Sequence, residues 1–583
     1  MAETLVPAFS RSNDDPAVTR IGGGVAGGKA LGLAALEQKV LPAIDHTGLE
    51  GISYVIPRAA VIATDVFDAF IKHNNLVSLA QEVAREERSE VADERVRQAF
   101  VRASFPPLAV GDLRSLLEFF REPLAIRSSS LLEDALEHPF AGVYGTKMVP
   151  NNQGAMDARF RELITALKFV YATTYFAEAR AYRHALGGQM PDEKMAVVVQ
   201  RIAGRRHGER FYPCISGVGR SFNYYATGHA QPEDGVVSLA LGLGKTIVDG
   251  GASWTYCPAY PKAPPPVNDI GTLLNASQRH FWAVHLGKPP VVDPMQETEY
   301  MLQHEVSAAQ QDGVLAPLVS TFDAANDRLV PGLRPRGGRV LDFAPLLQFE
   351  LAPFNEAISR LLRAAERLLG CAVEIEFAYS YEPGSPEEGE LSILQARPMR
   401  VEEQALTLDD AALEGPGLLV ASRAALGNGV RDDIQHVLYL KPDAFDPAHS
   451  RAIAAEIATH NRALVEGEHP YLLIGFGRWG SSDPWLGVPV QWSDIGGARA
   501  IVETTSGAMN PELSQGSHFF HNMLSFGVLY FSVRHDLDVG VDWSWLDALP
   551  ALVESKHVRL VRCPRPLSLR VDGRHRLGVI DHG

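Results

Sequence analysis

The chain has 583 residues, enough for about three or four domains at roughly 150 residues each. Hydrophobic residues make up 46% and charged residues 21%, so cores of ordinary size are available. The formal net charge of −16 argues against nucleic acid and anionic membranes as partners, because polyanion binders are usually basic, although a local basic pocket for a phosphorylated ligand is compatible with it.

The four cysteines, Cys214, Cys257, Cys371 and Cys563, are far apart and form no CxxC pair. That spacing points away from a disulfide framework or a zinc site and toward a reducing compartment. The start, MAETLVPAFSRSNDDP, lacks the basic and apolar regions of a signal peptide. No apolar run approaches the roughly 18–20 residues of a membrane helix. The expectation is a cytoplasmic protein.

In chain order, residues 1–20 read as a loose leader. A glycine-rich loop from Ile21 to Gly28 then runs into a helical pattern from Lys29 to about Val40, with no clear strand before it. VIPRAAVIATDVFDAFI reads as strand, turn and helix, with Thr64 or Asp65 as the cap. Residues 75–121 and 155–187 are helical in pattern. PLAIRSSSLLED is a short apolar strand ending in a polar turn, and MAVVVQRIAG (195–204) reads as a buried strand. Residues 211–260 alternate and carry many glycines, which predicts strands and turns. After an amphipathic helix over 353–370, EIEFAYS and LSILQARP form two strands joined by the turn-rich EPGSPEEGE. The texture changes after Pro398. Residues 401–417 read as a linker, and residues 418–583 as a separate unit rich in tryptophan and glycine.

Three strings carry chemistry. In GGGVAGGKA, Gly22 to Ala30, glycines let backbone N–H groups approach phosphate oxygens, and Lys29 adds a point charge at a helix start. Ala30 stands where a Walker A loop has its Ser/Thr, so this string alone is equally compatible with a structural turn. In LAIRSSSLLEDALEHPFAGVYGT, Arg127 offers a planar phosphate clamp beside three serine hydroxyls, and Gly142 and Thr146 lie in a second turn able to meet phosphate. In EIEFA…LSILQARPMR, Glu376 and Gln395 fall on neighbouring strands. A carboxylate and an amide oxygen aimed into one site suit magnesium, and Arg397, two residues on, shares that strand face.

GGK, IPRAAVIAT, IRSS…ED…FAG…T, VVVQR, EIEFA and LQARP occur in one order over about residues 20–400. That series resembles the ATP-grasp module of phosphoenolpyruvate synthase, pyruvate phosphate dikinase and rifampicin phosphotransferase. The resemblance implies an α/β (α+β) fold. Two ATP-grasp lobes over 21–195 and 196–400 would be followed by a separate mixed α/β domain over 418–583. It also implies ATP and Mg2+ as cofactors. Lys29 and Arg127 would contact the phosphates, Gly142 and Thr146 would lie in the phosphate loop, and Gln200 would sit near the adenine. Glu376 and Gln395 would hold magnesium, and Arg397 would stabilise the transferring phosphoryl group. Where the family shows GLGE, this chain has GLGKTIVDGG. Lys245 could bind phosphate or pair with a carboxylate such as Asp249.

The swivelling domain with its TSHA histidine is not found, and the 183 residues after position 400 are too few for a barrel of roughly 250 residues. The C-terminal unit instead offers PYLLIGFGRWGSSDPWLGVPVQW, a strand followed by a glycine turn with Arg478, Ser481, Ser482 and Asp483. That string suits either an anion loop or a tryptophan-rich core turn. It also offers NPELSQGSHFFHNMLSF, where His518 would sit at a helix N-terminus as a phosphocarrier, a capping histidine or a base in an acceptor pocket. Two functions fit. One is an ATP-dependent phosphotransferase of dikinase type acting on an unidentified acceptor, with His518, Arg397 and Arg127 in catalysis. The other is a nucleotide-binding regulator or scaffold without turnover.

Overall fold

The structure is a computed structural model. It describes all residues except 1–4, 11–15, 85, 87–88, 131–132, 134–142, 186–193, 224–228, 250, 264–269, 400–405, 416, 428, 468, 482, 507–527, 536–539, 574 and 583. Mixed α/β architecture is observed throughout. Among the described residues no helix is long and apolar enough to cross a membrane.

A five-stranded sheet runs in the order Val18–Ile21, Ala59–Ile62, Ala196–Arg201, Leu124–Ser129, Thr146–Val149. Only its first pair is parallel. Opposite it stands a six-stranded sheet in the order Trp254–Tyr256, Val236–Ala240, Ile215–Arg220, Val373–Glu382, Ser385–Pro398, Ile52–Val55. The two long strands over 373–398 form the expected hairpin. One short connection, residues 56–58, carries the chain from the six-stranded to the five-stranded sheet, and residues 202–204 lead from the five-stranded sheet to Arg205–His207 of a further, four-stranded sheet. The first lies beside the strand end that opens the second, joined by the Arg201 N–H to Arg58 carbonyl bond of 2.9 Å.

Each layer is backed by a helix whose apolar spacing explains it. Met156–Thr173 buries Leu163, Leu167, Val170 and Tyr171 in the core that holds Ile126, Val197 and Val199. Phe354–Leu369 buries Phe354, Ile358, Leu361, Leu362 and Ala365, a 3–4 residue spacing that makes one apolar stripe. This helix ends because Gly370 adopts φ 70, the left-handed cap that glycine takes without a Cβ clash. Leu361→Ala would remove a fully buried side chain at a cost of about 2–5 kcal/mol.

The C-terminal unit is a nine-stranded sheet. Its centre is four parallel strands, Gly429–Leu440, Tyr471–Phe476, Ala498–Thr504 and Leu529–Val533. Helix Ser450–Glu466 makes the first crossover, as parallel strands require. Val558–Asp572 and Leu577–Asp581 add antiparallel strands on the opposite edge. The apolar cluster under the first sheet continues into this unit, since Leu473, Ile501 and Tyr530 share it with Ile126 and Leu167.

Two local expectations are corrected. Val18–Ile21 is a strand paired in parallel with Ala59–Ile62, so the leader does not extend to residue 20 and a strand does precede the glycine loop. Four residues of mixed polarity were too short a pattern to show it. Thr64 and Asp65 do not cap their helix, which begins after Ala63 without a side-chain cap. Thr64 Oγ1 accepts the Val25 N–H (3.0 Å) and Asp65 accepts the Gly23 N–H (2.8 Å), so both hold the glycine loop instead.

Candidate functional site

Strand alternation puts Arg127 on the face of the first sheet that looks toward the 373–398 hairpin. In that hairpin Glu376 and Gln395 are direct cross-strand partners. One Arg127 nitrogen, Nη2, donates to Glu376 Oε2 at 3.0 Å and to Gln395 Oε1 at 2.8 Å. Nη1 donates to the Leu394 carbonyl at 3.0 Å and lies 3.4 Å from Gln200 Oε1. A single cationic nitrogen therefore sits where a carboxylate and an amide oxygen converge. This donor pair fits a hard divalent cation, which takes oxygen ligands and shares its shell with phosphates. Among the described residues no group of three or more His, Cys, Asp or Glu side chains forms a separate metal cage.

One step along the strands, Glu374 is the cross-strand partner of Arg397 on one side and of Arg220 on the other. Glu374 is 1% exposed and both arginines 7%. Arg397 Nε donates to Glu374 Oε1 at 2.6 Å, and its Nη2 lies 3.9 Å from Glu376 Oε1. Neither Arg220 nor Glu374 was singled out in the sequence. Glu374 could have been found from its two-residue spacing to Glu376, whereas Arg220 depends on a strand pairing across 154 residues that no local pattern announces.

The glycine loop lies against the start of the polar turn. Lys29 Nζ contacts Glu133 Oε1 at 2.5 Å, and the Ser128 carbonyl and Oγ at 3.0 and 3.3 Å. Buried Glu133 also accepts from Ser128 Oγ (2.7 Å) and the Ser130 N–H (2.9 Å). Ser129 Oγ donates to the Ala26 carbonyl at 3.0 Å. The Ser128 and Ser129 hydroxyls are thus spent inside the protein, contrary to the expectation that they sit ready as phosphate donors. Gly27 is obligatory here: it has φ 80, and a Cβ on it would stand 1.7 Å from the Ser129 carbonyl oxygen.

Gln200 is 2% exposed, and among the described residues its Nε2 has no hydrogen-bond partner. From there the inner face of the hairpin continues toward residues 56–58 and 202–204 through the cross-strand pairs Ala378–Ser392 and Ser380–Glu390. A cavity of ≈ 840 Å³ opens at that end, with Ile56, Arg58, Ile202, Ala203 and Ser380 in its walls.

Thr146 opens the edge strand next to Arg127, its cross-strand partner. Lys245 starts a short helix and pairs with Asp249 Oδ2 at 3.1 Å and with Glu297 Oε1 at 3.7 Å. Burial opposes its charge, but these two carboxylates outweigh that and raise its pKa above the ordinary value. Of the two possibilities for Lys245, the carboxylate pair is the one observed. Gly142 and His518 lie outside the described residues.

In the C-terminal unit Arg478 and Trp479 form a short strand beside Gly487–Val488. Trp479 is fully buried, with Nε1 3.3 Å from the Val502 carbonyl, so this half of the string is core. Ser481 Oγ and Asp483 bond each other within the turn, and Ser482 is outside the described residues.

Residues 24–412 match the family described as pyruvate phosphate dikinase, AMP/ATP-binding domain. A curated relative, phosphoenolpyruvate synthase of Aeropyrum pernix, is 28% identical over 242 residues, 39% of this chain and 26% of that protein. The matched stretch is thus about a quarter of the relative's length. Since the family match covers well over half of the chain and includes every residue of the cleft, the chain belongs to the pyruvate phosphate dikinase AMP/ATP-binding domain family, with the ATP-grasp type of nucleotide-binding fold.

Proposed function

We propose that the chain is an ATP- and magnesium-dependent phosphotransferase of dikinase type. The observation that carries this reading is the convergence of Arg127 from one sheet on Glu376 and Gln395 from the other, at 3.0 and 2.8 Å. Simple nucleotide binding does not require a cation, a carboxylate–amide pair and a further arginine in one cleft. Phosphoryl transfer does, because its catalysis is positioning and charge neutralisation.

On this reading the base lies toward the cavity at residues 56–58 and 202–204, and the Gln200 amide, which has no partner among the described residues, donates to it. Glu376 and Gln395 hold Mg2+, which neutralises phosphate charge when bound. Arg127, released from those two acceptors, and Lys29 contact phosphate oxygens. Arg397 lies at the far end, where it offsets charge on the transferring group. Lys245 stays in its carboxylate pair and Thr146 ends the phosphate loop. The acceptor is met from the C-terminal side, directly or through His518.

The test is ATP turnover with Mg2+ and β-labelled ATP, in wild type, Glu376→Ala and His518→Ala. Acid-labile label on the protein that vanishes in His518→Ala, with AMP formed, supports the relay. ADP without protein label supports direct γ-transfer. Intact ATP binding without any turnover in wild type overturns the enzyme reading in favour of a nucleotide-binding regulator.

A further inference from the structure

Three neighbouring strands place Arg220, Glu374 and Arg397 in one cross-strand row, and Val218, Glu376 and Gln395 in the next row of the same face. The carboxylate is divided between the arginines. Oε2 takes Arg220 Nε at 2.7 Å and Nη2 at 2.5 Å, while Oε1 takes Arg397 Nε at 2.6 Å. Two guanidiniums thus hold one carboxylate rigidly, each through its own oxygen.

The charge balance depends on Arg220. Glu374 and Arg397 alone make a buried neutral pair, which offers an anion little attraction. Arg220 gives the trio a net charge of +1 in a site where all three groups are nearly excluded from water. Arg127 cannot supply that excess, because Glu376 already balances it.

The row also has a defined place along the cleft. The cavity lies at the Ser380–Glu390 end of the hairpin, the Glu376–Gln395 pair lies between, and the arginine row lies beyond. A nucleotide that spans the cleft from the cavity therefore brings its last phosphate to this row.

We propose that Arg220 is a positioning residue: through Glu374 it orients Arg397 and makes the row cationic, so that the site selects a triphosphate over a diphosphate. This rests on the nucleotide-site reading above. No covalent step is involved, and Arg220 acts through Glu374 without itself needing to touch phosphate.

The test is equilibrium binding, with Mg2+, of a non-hydrolysable ATP analogue and of ADP to the full chain. Wild type, Arg220→Met and Arg220→Lys are compared, with circular dichroism and a thermal melt as fold controls. Arg220→Met is expected to bind ADP within about twofold of wild type and the triphosphate roughly tenfold or more weaker. Arg220→Lys, which keeps the charge but loses the two-pronged grip, should recover part of the selectivity. An unchanged triphosphate-to-diphosphate ratio in Arg220→Met overturns the proposal, as does an equal loss for both ligands, which would make Arg220 merely structural. Should Arg220→Met not fold, the same ratio read in Arg220→Lys decides: selective loss of the triphosphate supports the role and an unchanged ratio overturns it. A wild type that binds neither ligand overturns the nucleotide-site reading itself, and this inference with it.

Discussion

The hairpin over 373–398 and the four parallel strands of the C-terminal sheet are both buried β structure, yet they carry polar groups in opposite ways. In the hairpin, polar groups stand within the paired strands: Glu374, Glu376, Gln395 and Arg397 share one face while Ile375, Phe377 and Ile393 fill the core behind. In the parallel strands, Leu472, Leu473, Ile474, Ile501 and Val502 are apolar on both faces. A polar cluster stands at the carboxyl ends of the last two of these strands, as Glu503, Thr504, Thr505 and His535. There Thr505 Oγ1 lies 2.8 Å from His535 Nδ1 and accepts the His535 N–H at 3.0 Å. An antiparallel sheet with one face in a cleft can present chemistry along its length. A parallel sheet covered on both faces can do so only at its rim.

The largest effect should come from Glu376→Ala, which removes a mid-strand carboxylate. ATP turnover is expected to fall by about 10²–10³-fold, with the melting temperature close to wild type, because the residue faces a cleft. Steady-state ATP consumption checks this. A buried carboxylate outside the cleft should behave in the reverse way. Glu299 pairs with Lys147 at 2.7 Å; Lys147 is 1% exposed, and burial pushes its ammonium below the ordinary pKa. Glu299→Gln removes the ion-pair partner of that buried cation and should cost about 3 kcal/mol in denaturant unfolding.

At the rim of the C-terminal sheet, a Cβ on Gly487 would stand 1.8 Å from the Arg478 carbonyl oxygen. Gly487→Ala should cost about 1–3 kcal/mol by forcing the two short strands apart, without changing ATP affinity. A parallel loss of ATP binding would break the contrast between the two regions.

The smallest effect is expected where the nucleotide-binding part of the chain meets the C-terminal unit. Helix Ala177–Ala185 packs against Trp492–Ile495, and the Glu178 carboxyl is pushed up to about 7 by burial, then by Glu297, Asp494 and Asp93. The folded chain keeps this proton where the unfolded chain, with an ordinary value of 4.5, has lost it. Stability from this group is therefore lost as pH rises from 4.5 toward 7. Glu178→Gln should melt higher than wild type at pH 8, and the gap should close near pH 5.

How much was legible in the sequence follows from the same contrast. Arg127, Glu376, Gln395 and Arg397 could be placed because strand alternation is local and each sits in a string with its own pattern. Glu133 was visible only as a letter in IRSS…ED. Its burial against Lys29 arises from a contact between residues 104 apart. Arg220 needed the order of strands in the sheet. A hydroxyl near a predicted phosphate turn can equally bind the protein itself, and here Ser129 donates to the glycine loop and Ser128 to Glu133. In the C-terminal unit, LLIGF was readable as a strand. The return of Val558–Asp572 to lie beside Gly429–Leu440 was not, since non-local pairing leaves no periodic mark.

The connection 56–58 is bonded through the Arg58 carbonyl to the N–H of Arg201, the last residue of the neighbouring strand. Pairing of Ala59–Ile62 with Ala196–Arg201 therefore begins at the very point where the chain enters the layer. Arg127 stands on the next strand, opposite Val198, so its height in the layer is measured from that crossing. The alignment of Arg127 with Glu376 is thus anchored at a junction of backbone and not left to the reach of a long side chain.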